Sequence, residues 1–92
     1  MERTIIHNEE KQRFETSQDG ITAYLRYVPF SGGLDVISTY VPGELEGQGV
    51  ASALTKHVLE YARRNRLKVI PSCSFTSAYF RRHPEDRDLE VK

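Results

Sequence analysis

Along this chain the spacing of apolar residues first changes in kind at Pro42-Gly43. Before that point apolar and polar residues alternate, the pattern of strands with one buried face, and after it they recur every three to four residues, the pattern of an amphipathic helix. Proline cannot donate to a strand ladder, and Pro-Gly favours a change of direction, so the alternating half ends there. A run of strands followed by a helix predicts an α/β domain in which the helix covers one face of the sheet.

Residues 14–17 and 21–28 flank the turn signal Gln18-Asp19-Gly20 and read as a β-hairpin. In its second strand Ile21, Ala23, Leu25 and Tyr27 share the core face, while Thr22, Tyr24 and Arg26 point the other way. Pro29-Phe30-Ser31-Gly32-Gly33 is a second break, and residues 34–41 follow as the next strand of an antiparallel meander. A short earlier strand is expected near residues 4–7.

Past the break, Ala51, Leu54, Val58, Tyr61 and Ala62 form one helical stripe, with Lys56, Glu60, Arg63 and Arg64 left to solvent. The spacing predicts a helix over 49–65, with Arg63, Arg64 and Arg66 placed to complement the negative end of its dipole. Residues 67–70 read as a strand stopped by Pro71. The order strand, helix, strand implies a parallel crossover onto the sheet. A shorter helix is expected over 75–82, ended by His83-Pro84. The charged residues 85–92 are expected to fray.

Ninety-two residues make one domain, 1–92, and cannot supply two separate cores. Thirteen Lys plus Arg balance thirteen Asp plus Glu, so no overall field draws the chain to nucleic acid or to an anionic membrane. Any anion site must be local. The opening Met1-Glu2-Arg3-Thr4 lacks the apolar core of a secretory signal, and a soluble cytoplasmic protein is expected. The single cysteine, Cys73, has no partner for a disulfide or for a thiolate metal site. His7, His57 and His83 lie dozens of residues apart without metal-ligand spacing, so no metal is expected.

The segment Glu46-Gly47-Gln48-Gly49-Val50-Ala51-Ser52 follows a strand and opens a helix. Backbone N–H groups at a helix start have no intrahelical partner and carry the positive dipole end, and glycines lack the Cβ atoms that would obstruct a phosphate. Two glycines before a helix also make an ordinary tight turn. A phosphate-binding loop that closes on Gly-Lys-Ser/Thr is absent. The dinucleotide fingerprint fails because Ser52 stands where its third glycine belongs.

With Gly49 and Ala51 in place, the segment resembles the pyrophosphate-binding motif Arg/Gln-x-x-Gly-x-Gly/Ala of the GNAT acetyltransferase superfamily. Glu46 departs from it where that family has Arg or Gln. The resemblance continues through residues 67–75 and through Ala78-Tyr79-Phe80-Arg81-Arg82-His83-Pro84, and is similar to the short GNAT-like branch typified by the YjdJ proteins. It implies a minimal GNAT-like fold without the N-terminal helices that help to form the acceptor pocket. It further implies acetyl-coenzyme A as the ligand and N-acetyl transfer to an unidentified amine as the activity. The phosphates would meet Gly47, Gln48, Gly49, Val50, Ala51 and Ser52. The pantetheine arm would lie between the splayed strands 34–41 and 67–70, near the main chain of Tyr40 and Val41, with the acetyl group approaching Ser72, Cys73 and Tyr79.

Each chemical candidate has a structural alternative. Cys73 is either a thiolate able to accept acetyl from a thioester or a small buried hydrophobe. Tyr79 aligns with the tyrosine that in many GNAT enzymes protonates the departing thiolate, and equally suits aromatic packing. Arg81 and Arg82 either meet a phosphate or form a solvated pair at a helix end. Glu44, Glu46, His57 and His83 are candidate bases, none distinguished by its surroundings in the sequence. The alternative function is a non-catalytic module that senses coenzyme A or binds a protein partner, a reading favoured by Glu46.

Overall fold

A computed structural model describes residues 3–91; Met1, Glu2 and Lys92 lie outside it. Five strands form one sheet in chain order: β1 (Ile6–Asn8), β2 (Arg13–Gln18), β3 (Ile21–Phe30), β4 (Gly33–Tyr40) and β5 (Lys68–Pro71). The first four are antiparallel neighbours, and β5 joins β4 in parallel. Between β4 and β5 runs α1 (Val50–Arg64), and β5 leads into α2 (Ser74–Arg82). This is the expected α/β arrangement: meander, long helix after the glycine turn, parallel crossover and short C-terminal helix.

The β2–β3 hairpin closes on Asp19 (φ 53°) and Gly20 (φ 77°), both left-handed, which matches the right-handed twist of the strands. The next hairpin is tighter than the five-residue break suggests. Pro29 and Phe30 continue β3, pairing with Leu34 and Gly33, because a proline at the end of a strand forfeits little of the ladder. Only Ser31 and Gly32 form the turn.

Strict alternation fails in β4. Arg26 pairs with Ser38 but Tyr27 pairs with Val36, so Ile37 is an extra residue in a bulge. Beyond the bulge the facing of the side chains reverses. Thr39, opposite Leu25, turns to the core side, and Tyr40, opposite Tyr24, turns outward.

The core lies between the inner sheet face and the helices: Phe14, Leu25, Val36 and Val69 against Val50, Leu54, Val58 and Phe80, all at most 2% exposed. Fully burying side chains of this kind contributes about 1.5–3 kcal/mol each before entropy is subtracted. The buried stripe of α1 is rotated slightly from the expected one: Val50, Thr55 and Leu59 are buried, while Ala51 and Tyr61 are half-buried. Thr55 is tolerated inside because its hydroxyl donates to the Ala51 carbonyl, 2.8 Å away. At the other end of α1, Arg66 adopts φ 57° and Leu67 N–H bonds the Ala62 carbonyl, closing the helix and aiming the chain into β5.

Residues 85–91, expected to fray, pack against the domain instead, and Lys92 lies outside the described residues. Pro84–Leu89 form a 3₁₀ helix, Leu89 is 5% exposed, and Val91 N–H donates to the Val69 carbonyl at 2.8 Å. Arg63 on α1 bonds both Asp86 and Asp88. The charge that suggests fraying is instead used to pair with α1, around one apolar anchor.

Candidate functional site

After β4 the chain passes through a 3₁₀ turn, Gly43–Leu45, pinned by the buried Leu45, and enters α1 by way of Gly47 (φ 78°) and Gly49 (φ 73°). A Cβ at either glycine would meet nothing within 4 Å. The left-handed backbone, not crowding, is what calls for glycine. Gly49 caps α1 without a side-chain acceptor, and the first helical bond is Ala53 N–H to the Gly49 carbonyl. The N–H groups of Val50, Ala51 and Ser52 therefore have no intrahelical partner. They border a depression of about 190 Å³ that Val41, Glu46 and Phe75 also line. Glu46 is exposed on its rim.

The opposite flank of the turn carries cations. Arg3 donates to Gln48 Oε1 at 2.7 Å and to Gln18 Oε1 at 2.9 Å, fastening the N-terminal segment across the helix start. With Lys56, His57, Glu60, Gln48 and Gly49 it lines a groove of about 440 Å³. Sequence reasoning missed Arg3, since 45 residues separate it from Gln48 and only the fold joins them. The expected cations stand elsewhere. Arg81 and Arg82 are exposed on the last turn of α2, and Arg81 bonds Ser77. α2 starts beside the glycine turn, at Phe75, and runs along α1 away from it, which carries both arginines to the far end.

Cys73 precedes the first residue of α2, where β4 and β5 separate. Their ladder ends at Val36 and Pro71, and Cys73 N–H makes a further tie to the Val36 carbonyl at 2.8 Å. Beyond it β4 continues to Tyr40 paired with β3 but not with β5. The bulge places Thr39 Oγ1 3.6 Å from Cys73 Sγ. Burial pushes the half-buried thiol up, but the Thr76 N–H, the Thr39 hydroxyl, the Phe75 N–H and the Thr76 hydroxyl together hold its pKa below the ordinary value. Thr76 is 1% exposed and its hydroxyl has no other partner among the described residues. These groups favour a thiolate at a helix start. Ser72 beside it is exposed, Val41 borders the 190 Å³ depression, and the Tyr40 ring faces out on the other side of the sheet.

Tyr79 packs toward α1. It is 8% exposed and stacks on His83 at 3.9 Å, with ring planes 8° apart, in a separate cleft of about 460 Å³ formed with Leu59, Glu60 and Arg63 of α1. Burial, followed by Asp86, Glu85 and Glu60, raises its pKa. Of the candidate bases, Glu44 and Glu46 are exposed, His57 meets Phe14 edge-on at 5.7 Å, and the ring of His83 is held in the Tyr79 stack.

The structure thus unites a glycine turn with free amides, a helix start and a separating parallel strand pair, the arrangement that the sequence resemblance implies. A sequence model of the GCN5-related N-acetyl-transferase family matches residues 13–89. The NMR solution structure of a GCN5-like candidate N-acetyltransferase from Staphylococcus aureus superimposes with a TM-score of 0.76 at 31% identity, covering 96% of this chain and 87% of that one. The chain belongs to the GCN5-related N-acetyltransferase family.

Proposed function

We propose that the protein binds acetyl-coenzyme A at the glycine turn and transfers its acetyl group to an amine by way of Cys73. One observation carries this reading: the free amides of Val50, Ala51 and Ser52 and the lowered thiol of Cys73 lie at the same end of the sheet, where β4 and β5 part. The amides and Gly47 receive the pyrophosphate, aided by the α1 dipole. Arg3 and Lys56 supply the positive charge that Glu46 does not. The pantetheine follows β4 past Val41 toward Tyr40, and its amides pair with the unladdered edge of that strand.

In the chemical step the Cys73 thiolate adds to the thioester carbonyl carbon. A new C–S bond forms as the bond to the coenzyme sulfur breaks, and the departing thiolate is protonated from solvent. A neutral amine then attacks the acylated cysteine, loses its proton and restores the thiolate. Thr39, Thr76 and the start of α2 stabilise the anion before and after acylation. Tyr79 is assigned to packing, because its hydroxyl belongs to the cleft with Glu60 and Asp86.

The test joins binding to turnover. Titrating isotope-labelled protein with acetyl-coenzyme A should give saturable amide shifts at residues 47–52 that extend to Cys73, and Arg3→Ala should weaken the binding. Free coenzyme A, measured by mass, should accumulate with an amine acceptor; Cys73→Ala should retain binding and abolish release. Unchanged turnover in Cys73→Ala would reject the covalent route. Saturable binding with no release across a panel of amines would favour the coenzyme A-sensing module, the reading that Glu46 on the rim supports.

A further inference from the structure

The cleft between α1 and the end of α2 shares no lining residue with the depression at the glycine turn. Its floor is the Tyr79 ring, stacked on His83, and one wall is the buried Leu59. Tyr79 is 8% exposed, yet its hydroxyl forms no hydrogen bond among the described residues. A polar group held so deep without a partner is unfavourable until a ligand or water completes it. Unlike the Thr76 hydroxyl, it is not sealed in the interior, and Tyr79 lines the cleft.

The charges around that hydroxyl set the sign of what can join it. Glu60 of α1 and Glu85 and Asp86 of the tail line the cleft against Lys56 and Arg63, so three carboxylates outnumber two cations. Arg63 is committed to Asp86 and Asp88. Glu60 and Glu85 are exposed and form no ion pair among the described residues. Burial and then Asp86, Glu85 and Glu60 hold the Tyr79 hydroxyl above its ordinary pKa, and no cation offsets them. The field that disfavours a phenolate there favours a positive ligand.

We propose that this cleft binds an aliphatic amine in its ammonium form, which donates an N–H to the Tyr79 hydroxyl oxygen, has its charge balanced by Glu60 and Glu85, and lays its alkyl chain along Leu59. A volume of about 460 Å³ falls in the range of about 300–1,000 Å³ usual for small-molecule sites. A metal ion fits less well, since no group of three His, Cys, Asp or Glu among the described residues is placed to hold one. A guanidinium is best met at two points by a carboxylate, whereas this floor offers one oxygen. The site also makes a chemical distinction. Acetylation turns an ammonium into a neutral amide, so the cleft holds an amine and lets its acetylated form go. This binding goes beyond the transfer reaction and needs neither the coenzyme nor Cys73.

The test titrates isotope-labelled protein with butylammonium chloride near pH 7, where an aliphatic amine is protonated. Sodium chloride at equal ionic strength and the neutral N-butylacetamide serve as controls. Saturable amide shifts are expected at Glu60, Tyr79 and Glu85, with a dissociation constant on the order of a millimolar and no saturable response to either control. Glu60→Gln and Tyr79→Phe should each weaken binding by about tenfold, the effect of losing one hydrogen bond to a charged group. Because the hydroxyl has no protein partner, Tyr79→Phe should leave the urea midpoint unchanged, which separates a lost ligand contact from a lost fold. The absence of saturable shifts at the cleft overturns the proposal, as does an equal response to sodium chloride or to N-butylacetamide. Affinity unchanged in both variants also overturns it, since the amine then sits elsewhere. Binding of acetyl-coenzyme A at residues 47–52 is read in its own titration and stands or falls separately.

Discussion

Cys73 and His7 show how neighbours decide the chemistry of a single side chain. The thiol is half-buried, which alone would favour its neutral form, yet the N–H groups of Thr76 and Phe75 and the hydroxyls of Thr39 and Thr76 reverse the balance. Alkylation by iodoacetamide, followed against pH, should therefore rise with a midpoint below that of an unstructured cysteine peptide measured alongside, and Thr76→Val should move that midpoint up. His7 is shifted by different means. Its Nε2 lies 2.5 Å from the Tyr27 hydroxyl, and its ring stacks on Phe14 at 4.0 Å and meets Tyr61 edge-on. Burial lowers its pKa, Glu9 partly restores it, and His57 lowers it further. The unfolded chain thus binds more protons than the folded one below the ordinary histidine value of about 6.5, so stability from this group is complete above that pH and is lost as pH falls through the lowered value. Urea midpoints measured between about pH 5 and 7.5 should fall on acidification, and His7→Gln, which keeps a neutral polar group, should flatten the slope.

Strands and helices here meet at places where a side chain cannot be spared or cannot be added. Gly33 begins β4, where an added Cβ would overlap the Phe30 ring and the Lys68 carbonyl across the parallel pair. The backbone carbonyl cannot swing aside, so Gly33→Ala should cost about 1–3 kcal/mol, read as a lower urea midpoint with an unchanged slope. Gly49 differs, since its surroundings are open and its backbone is left-handed. The bulge at Ile37 does more than bend β4. By reversing the facing of the residues beyond it, the bulge sets Thr39 beside Cys73 and Tyr40 on the outer face.

Across the fold, the tail acts as a strap over the open edge of β5 and the last turns of α1. Leu89 is its anchor, at 5% exposure, and Leu89→Ala should cost about 2–4 kcal/mol in chemical denaturation. Arg63→Ala removes exposed ion pairs to Asp86 and Asp88 and should cost much less, because water and salt screen such pairs. If the two variants lost equal stability, charge rather than burial would hold the strap.

Short-range physics made much of this protein legible from its residues. Asp19-Gly20 specifies a hairpin because both residues accept left-handed backbone; the apolar stripe from Leu54 to Ala62 specifies a helix because burial rewards that spacing; and Gly47 and Gly49 mark the place where amides are left free. Local pattern could not place side chains whose partners lie far along the chain. The Arg3–Gln48 contact, the direction of α2 that carries Arg81 and Arg82 away from the glycine turn, and the seating of Tyr79 in a cleft with Leu59, Glu60 and Arg63 follow from how helices lie on the sheet. The tail reads as frayed in sequence because charge dominates it, and packs because one leucine finds a pocket built by distant elements. Periodicity reports which face of an element is buried; which residues meet is decided by register, by a single bulge and by helix direction, all of which depend on contacts made only when the chain has closed.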